Sequence, residues 1–517
     1  MKNFKIQQNE KNISQSTIVT IFVGLLVGGF LIRIYFTPFQ IPISLDGIDY
    51  FAYAVAMSRE GTFPNGYLLT NFGWSSFVSI FFTFFQNSEM QTLMNIQRIL
   101  SISISIVTAI PIYYLSKIFF KKEIAFLSTT LFLFDPRIIE NSILGITETL
   151  FIFLVVLTIL FIFYKKSSFI WLSFVCAALA AFVRYEGLLL IVPVIISFCI
   201  KNYEIKYSKM KFGVGIMLFL AIIIPVNFID YENSQKFSIF TQFIERSDYV
   251  SEHVIYDKVD NEIEQEEENK IQNFIINAIK GFFSYLGWIL IPIFILFVVL
   301  GVIFMPKTIS KNKIIFGTFF IFLIIPSIFA YGREIQDTRY LLVLLPIFSV
   351  FSCYGLIFLK KFNFKQIFIL TIISIIVVSF IFTDYKKINS DYENEIYQAT
   401  LFLTERATGI NNYEHSKYFK VAELQNNWPE LLPQGEKRKI IYETAKIRIE
   451  EYKDPLEFIK SNKNNNLSHL MIIKENDNGF FDDIFMNEVN YPYLEKIYDS
   501  NKIVEYKIFE INYDKVK

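Results

Sequence analysis

Between residues 17 and 383 the sequence returns repeatedly to long apolar runs, and no other feature constrains the fold as tightly. Hydrocarbon offers no water to satisfy free backbone N–H and C=O groups, so a crossing segment must pair them internally, as a helix of about twenty residues. Candidate stretches lie at roughly 17–37, 96–119, 123–135, 147–164, 168–183, 187–200, 212–229, 285–304, 314–330, 340–359 and 366–383. They predict a polytopic α-helical membrane protein with about eleven transmembrane helices. The first run starts late, near Thr17, and no small-residue cleavage pattern follows it, so it reads as a span and not as a signal peptide. The apolar piece 74–85 is too short to cross and is expected along the outer interface. From 384 to 517 the composition turns polar, which predicts a C-terminal extracytoplasmic α/β domain, foldable on its own, beside a membrane domain at 1–383.

Charge sets the direction of the spans. The loops with Lys2/Lys5/Lys11, Lys117/Lys121/Lys122, Lys165/Lys166, Lys201/Lys206/Lys209/Lys211, Lys307/Lys311/Lys313 and Lys360/Lys361/Lys365 hold 18 lysines and few acids. The alternate loops are acidic or mixed, above all 230–270 with Glu264, Glu266, Glu267 and Glu268. By the positive-inside rule the N-terminus is cytoplasmic, and eleven spans then put the tail outside. Those inner loops contain no arginine. Arg33, Arg59, Arg98, Arg137, Arg184, Arg246, Arg333 and Arg339 all fall at the outer side. Any one of them is explained as well by interface anchoring. Together they predict an anionic ligand at the outer face, because topology signalling disfavours positive charge there and the guanidinium fork matches phosphate.

The overall balance of 49 basic and 49 acidic residues excludes a nucleic-acid binder, which needs a basic surplus on one face. Cys176, Cys199 and Cys353 lie in apolar runs and offer no disulfide framework. His253, His415 and His469 share no metal-ligand spacing.

The first outer loop, 38–73, carries Asp46 and Asp49, close enough to the membrane surface to meet both a lipid head group and water. Asp46 before Gly47 is also a common turn. One ionised carboxylate there suits a general base for an acceptor hydroxyl; the second can orient it or help hold a divalent cation such as Mg or Mn. Asp135-Pro136-Arg137 with Glu140 forms a further outer turn. Glu148 stands where the next span begins, a position that suits a helix-dipole charge as well as a site residue. Arg184-Tyr185-Glu186-Gly187 joins two spans with almost no loop, which puts Arg184 and Glu186 at the rim as a pair. Arg333-Glu334-Ile335-Gln336-Asp337-Thr338-Arg339 precedes another span, headed by Arg339. In the tail, Asp454-Pro455-Leu456-Glu457 reads as a helix start. Residues 469–473 and 504–511 read as strands, and Asn464-Asn465-Asn466 as a turn. No catalytic constellation stands out in the tail.

The order of these segments resembles the GT-C superfamily of membrane glycosyltransferases, near the protein O-mannosyltransferase and aminoarabinose transferase branches. Asp46-x-x-x-Tyr50 is similar to their Asp-Glu-x-x-Tyr pattern. Thr147-Glu148 before Leu150-Phe151, Arg184-Tyr185-Glu186-Gly187, and Arg339-Tyr340-Leu341-Leu342 followed by Leu345-Pro346 look like further segments of the superfamily. The resemblance covers about 1–383, and the tail is similar to that of archaeal members. Two departures stand out. Gly47 replaces the second acid, with Asp49 two places on, and the Lys-Pro-Pro segment of the aminoarabinose branch is absent, with Asn71-Phe72-Gly73-Trp74 in its neighbourhood. The resemblance implies inverting transfer of a sugar from a polyprenyl- or dolichyl-phosphate donor to a protein, lipid or glycan acceptor, with Asp46 as base. It further implies Asp49 and Glu148 in support or on a cation, Arg339, Arg184 and Arg333 on the donor phosphate, and Tyr50 and Glu186 on the substrate.

Two rival classes make different demands. A secondary transporter calls for ionisable residues and broken helices near the midplane, often in paired repeats; here the spans are nearly free of internal charge. A non-catalytic lipid-binding subunit is the other rival. An oligosaccharyltransferase catalytic subunit, within the superfamily, should carry Trp-Trp-Asp-Tyr-Gly in its outer domain, and the only Trp after residue 383 is Trp428. The orientation is testable in a background free of native cysteines. Single cysteines at 310 and 363 should stay shielded from impermeant thiol reagents in intact cells, while those at 265 and 465 should label. Labelling at 310 without permeabilisation would invert the topology.

Overall fold

The computed structural model describes residues 15–64, 69, 71–164, 169–202, 208–234, 264–306, 310–357, 364–406, 418–426, 428, 452–465, 467–474, 480–501 and 505–516. Lys2, Lys5, Lys11, Lys165, Lys166, Lys206, Lys307, Lys360, Lys361, Arg246, His253, His415, Asn466, Val504 and the loop 235–263 lie outside them.

The apolar runs fold as helices. In chain order these are α1 (Gln15–Phe36), α2 (Asp46–Glu60), α3 (Gly73–Phe82), α4 (Met90–Phe119), α5 (Lys122–Leu133), α6 (Pro136–Ser142), α7 (Glu148–Phe163), α8 (Trp171–Val183), α9 (Ile191–Asn202) and α10 (Ser208–Ser234). There follow α11 (Glu264–Leu290), α12 (Phe294–Phe304), α13 (Lys311–Gly332), α14 (Arg339–Leu342), α15 (Leu345–Leu356) and α16 (Phe364–Tyr385). The tail adds α17 (Ser390–Thr404), α18 (Phe419–Asn426), α19 (Pro455–Ser461) and α20 (Asp482–Met486), with strands β1 (His469–Ile473), β2 (Leu494–Asn501) and β3 (Glu505–Ile511).

Each of the eleven apolar stretches contains a helix, but their lengths differ. Among the described residues five are long and apolar enough to cross a bilayer: Val19–Phe36, Met90–Phe119, Lys209–Phe228, Lys311–Gly332 and Gln366–Thr404. A sixth, Gln272–Leu290 with Phe294–Phe304, is bent by 108°. Helices α7, α8 and α15 are apolar but shorter; at about 1.5 Å per residue they fall short of a hydrocarbon core of about 30 Å. They stop where the chain turns to present polar groups. Helix α5 ends at Leu133, and two residues on, the Asp135 carboxylate caps α6 by accepting from the N–H groups of Arg137 (2.9 Å) and Ile138 (3.1 Å), with Pro136 in the first turn. The 74–85 piece, too short to cross, is docked on the bundle by one face. Trp74, Val78 and Phe82 are buried, and Trp74 Nε1 donates to the Gly145 carbonyl at 2.9 Å, leaving Ile80, Phe84 and Phe85 as its exposed stripe.

In the tail the helix start and both predicted strands form. Asp454 caps α19 by accepting from Glu457 N–H at 2.8 Å, and Lys463–Asn465 makes a short 3-10 turn. Strand β2 was not legible: its sequence Leu-Glu-Lys-Ile-Tyr-Asp-Ser-Asn is largely polar because it lies at the edge of an antiparallel sheet ordered β1-β3-β2. Alternation gives the sheet two buried faces. Leu470, Ile472, Phe509 and Ile511 pack on Phe458, Ile459 and Ile484. Met471, Tyr506 and Ile508 join the same core as Ile396, Leu403, Val421 and the membrane helices. The tail and the helical bundle therefore share a core, and residues 452–516 alone would leave one face of the sheet uncovered. We expect 390–517 to give dispersed amide signals in solution and 452–516 to collapse or aggregate; a dispersed spectrum from the shorter piece would show that the second face needs no cover.

Candidate active site

The C-terminal ends of α1, α8, α13 and α16 and the N-terminal ends of α4 and α7 meet at one end of the bundle, the site end. Buried polar groups hold its loops in place. Arg98 donates to the carbonyls of Pro38 (3.1 Å), Ile41 (2.7 Å) and Pro42 (3.2 Å), and Gln97 Nε2 donates to those of Gly47 (3.2 Å) and Gly145 (2.7 Å). Arg33, fully buried in α1, donates to Gly29 O and to the hydroxyls of Ser105 and Ser142, tying α6 to the bundle.

These anchors set Asp46 at the start of α2. The residue before it, Leu45, has φ 52° and is exposed, a conformation costly for a branched side chain and found mostly where surroundings over-determine it. Gly47 follows under close packing: a Cβ there would stand 2.3 Å from Ile43 Cγ2 and 3.3 Å from the Leu144 carbonyl oxygen. The missing second acid is thus matched by a missing space.

Asp46 Oδ2 accepts from Arg339 Nη1 at 2.7 Å, across 293 residues of sequence. Arg339 Nε donates to Asp337 Oδ2 (2.6 Å), its backbone N–H to Asp337 Oδ1 (2.8 Å), and its Nη1 lies 4.0 Å from Glu148 Oε1. Glu148 Oε1 in turn accepts from Arg184 Nη1 at 2.5 Å, while Glu186 receives Nη2 (3.0 Å) and Nε (3.3 Å) of the same guanidinium. Burial alone would depress the Arg184 guanidinium, but Glu186 and Glu148 together hold it well above its ordinary value. Tyr50 is buried one turn beyond Asp46, and burial with the neighbouring Glu148 carboxylate pushes its hydroxyl up. Four carboxylates thus surround two guanidinium groups in one connected chain, Glu186–Arg184–Glu148–Arg339–Asp46, with Asp337 on Arg339.

Two spaces meet at Arg339. A narrow groove is walled by Phe151, Ile152, Leu190, Leu323, Pro326 and Val343 and floored by Arg184, Glu148, Glu186 and Arg339. A wider cavity of about 480 Å³ is lined by Asp46, Asp337, Arg339, Arg98 and Tyr418. Tyr418 belongs to the tail, where its hydroxyl donates to Glu393 at 2.8 Å.

Of the residues singled out in the sequence, Asp46, Tyr50, Glu148, Arg184, Glu186 and Arg339 come together. Asp49 does not join them: both its oxygens accept from Lys420 Nζ at 2.8 Å. Burial raises the Asp49 carboxyl above its ordinary range, with Lys420 pulling against it. Arg333 lies over the Phe329 ring and lines neither space. Sequence reasoning gave no site role to Asp337, Tyr418 and Lys420, and counted Arg98 only among the outer arginines. Asp337 sits inside the quoted 333–339 segment and carried a signal; Lys420 is 371 residues from its partner and carried none. The divalent cation expected from the resemblance finds no ready cage, since among the described residues no three His, Cys, Asp or Glu side chains converge on a point. Asp46 is turned to Arg339 and Asp49 to Lys420, so no step is derived through a metal.

The family model for dolichyl-phosphate-mannose-protein mannosyltransferase matches residues 74–229. Solved structures share the architecture over most of the chain. Archaeal oligosaccharyltransferase AglB from Archaeoglobus fulgidus, in complex with an inhibitory peptide and a dolichol-phosphate, is 10% identical with a TM-score of 0.55, covering 87% of this chain and 69% of that one. ArnT from Cupriavidus metallidurans bound to undecaprenyl phosphate is 9% identical with a TM-score of 0.51, covering 97% and 99%. A further structure of the Archaeoglobus protein, with Zn and sulfate, is 13% identical with a TM-score of 0.53, covering 86% and 67%. No curated protein matches the sequence. The chain shares its fold with these structures, and together with the family-model match they bear out the resemblance read from the sequence.

The close packing at Gly47 makes a specific prediction. Gly47→Asp, which restores the second acid of the superfamily pattern, should lower the melting temperature, because the new side chain collides with Ile43 and faces the Leu144 carbonyl. Gly47→Asp melting with the wild type would show that the loop has room for a second acid.

Proposed function

We propose that this protein is a glycosyltransferase that moves a sugar from a polyprenyl- or dolichyl-phosphate donor to a hydroxyl of a protein, lipid or glycan acceptor at the non-cytoplasmic face of the membrane. The observation that carries this reading is the contact between Asp46 and Arg339 at the junction of an apolar groove and a polar cavity. The groove suits a prenyl chain, and Arg184 and Arg339 at its floor suit the phosphate. The cavity, with Asp46 in its wall, suits the acceptor. That two solved neighbours of the same fold are described with dolichol-phosphate and with undecaprenyl phosphate supports the choice of donor. The gathering of ionisable groups at one end of the bundle supports an interfacial enzyme over a transporter with a midplane site.

The reaction proposed is a single displacement. The acceptor oxygen attacks the anomeric carbon from the face opposite the phosphate, the bond from that carbon to the phosphate oxygen breaks, and the lipid phosphate leaves with the electron pair. Asp46 takes the hydroxyl proton. Configuration at the anomeric carbon inverts. With no donor bound, Asp46 Oδ2 is occupied by the Arg339 guanidinium at 2.7 Å. A donor phosphate competes for the same guanidinium, so donor binding draws Arg339 from Asp46 and frees the carboxylate for the acceptor. Arg184 is held too firmly by two glutamates to do the same. It positions Glu148 and fixes the field at the groove floor.

Asp46→Asn preserves size and hydrogen-bonding reach but removes the proton acceptor. Sugar transfer should fall by about 10²–10⁴-fold, the usual contribution of general-base catalysis, while donor lipid still binds. Arg339→Gln should instead weaken donor binding by about tenfold or more, a charge-assisted contact being worth about 1.5–3 kcal/mol. Wild-type transfer by purified Asp46→Asn would remove Asp46 as the base and turn attention to Glu148.

A further inference from the structure

A third cavity, of about 180 Å³, lies between α6, α14 and the site end of α16, and shares only Arg339 with the apolar groove. Its wall holds Arg137, Arg339, Lys386 and Lys387 against one carboxylate, Glu140, already paired with Arg137 at 3.1 Å. Among the described residues no carboxylate pairs with Lys386 or Lys387, which rest over the rings of Phe382 (5.5 Å) and Tyr35 (4.9 Å). Both lysines stand just past the last span, on the side where the topology signal disfavours positive charge.

Three residues that line this cavity carry buried polar atoms without a partner. Asn141 is 4% exposed, yet neither Nδ2 nor Oδ1 has a partner, and Arg137 Nε and Glu140 Oε1 are likewise unsatisfied. A buried polar group left unpaired costs about 1–3 kcal/mol, so these residues of one short helix gain from a ligand in the adjoining cavity that supplies both acceptors and a donor. A phosphate monoester does so: its anionic oxygens accept from Asn141, Arg137 and the lysines, and in its singly protonated form the remaining O–H donates to Glu140 or Asn141. Phe36, Leu342 and Ile143 in the same wall suit the start of an acyl chain.

We propose that this cavity binds the phosphate-monoester headgroup of a membrane lipid, at a site separate from the groove assigned to the donor. The site adjoins the Asp46 cavity, with which it shares Ile143, Leu144, Arg339 and Ile388, but its Arg137, Asn141, Lys386 and Lys387 belong to neither space of the transferase reading. The test uses the purified full-length chain in detergent and native mass spectrometry with dioctanoyl phosphatidic acid, dioctanoyl phosphatidylcholine, inorganic phosphate and undecaprenyl phosphate as probes. Two variants are compared with the wild type: Lys386→Gln/Lys387→Gln, which changes only exposed side chains, and Asn141→Leu, which replaces an unpartnered amide by an apolar side chain of the same branching.

Phosphatidic acid should bind the wild type and lose at least about tenfold in affinity in each variant, with phosphatidylcholine not bound and undecaprenyl phosphate unaffected. Inorganic phosphate binding with the same dependence on the variants would assign a free phosphate as the source and leave the headgroup chemistry standing. Equal phosphatidic acid binding by wild type and variants overturns the proposal. So does a parallel loss of undecaprenyl phosphate, which would make the cavity part of the donor site. A purely structural Asn141 predicts a lowered melting temperature for Asn141→Leu with lipid binding retained; if that variant does not fold, the double lysine variant decides.

Discussion

The buried Arg184 guanidinium, gripped by Glu148 on one side and Glu186 on the other, is the interaction on which the site end is built. A charge at this depth is tolerable only when paired and hydrogen-bonded, and removing one partner of such a set typically costs about 3–5 kcal/mol. The pairing therefore dictates where the start of α7 and the turn between α8 and α9 must lie. Gly187 permits the turn: a Cβ there would come 2.4 Å from the backbone nitrogen of Ala181. Once Glu148 is fixed, Arg339 is drawn beside it, and Asp46 beside Arg339. Each charge in the row is placed by the one before.

The two guanidinium groups differ in burial and in commitment. Arg339, 35% exposed, is shared among Asp46, Asp337 and the vicinity of Glu148, whereas Arg184, 14% exposed, is held by two glutamates. On the proposed function, the more exposed guanidinium is the one that an incoming phosphate recruits.

The tail is more than an appendage to this chemistry. Lys420 holds both oxygens of Asp49, Trp428 stacks on Phe51 and under Arg59, and Tyr418 completes the wall of the Asp46 cavity. These contacts tie the tail to α2 from its first turn at Asp49 to its last at Arg59. They also account for the shared core of tail and bundle, since Tyr418, Val421 and Leu424 are buried with the helices they touch.

How much could be read in advance follows from the range of the forces involved. Helix in lipid is a local necessity, imposed residue by residue by backbone groups that have no water, so the apolar runs announced it. The Asp454 cap, the alternation in residues 505–511 and the turn between Arg184 and Gly187 are local too, and they were legible. Six residues of the charged cluster were named from sequence because charged groups beside the ends of apolar runs stand out locally. What the sequence by itself determined was therefore the helical membrane fold, the end at which charge collects, and most of the residues that collect there. Which carboxylate meets which cation was decided only in the tertiary structure. Asp46 and Asp49 are three residues apart and chemically alike, yet one faces Arg339 and the other Lys420, because a helix turn points them to different neighbours and Coulomb attraction selects among partners that only folding brings within reach.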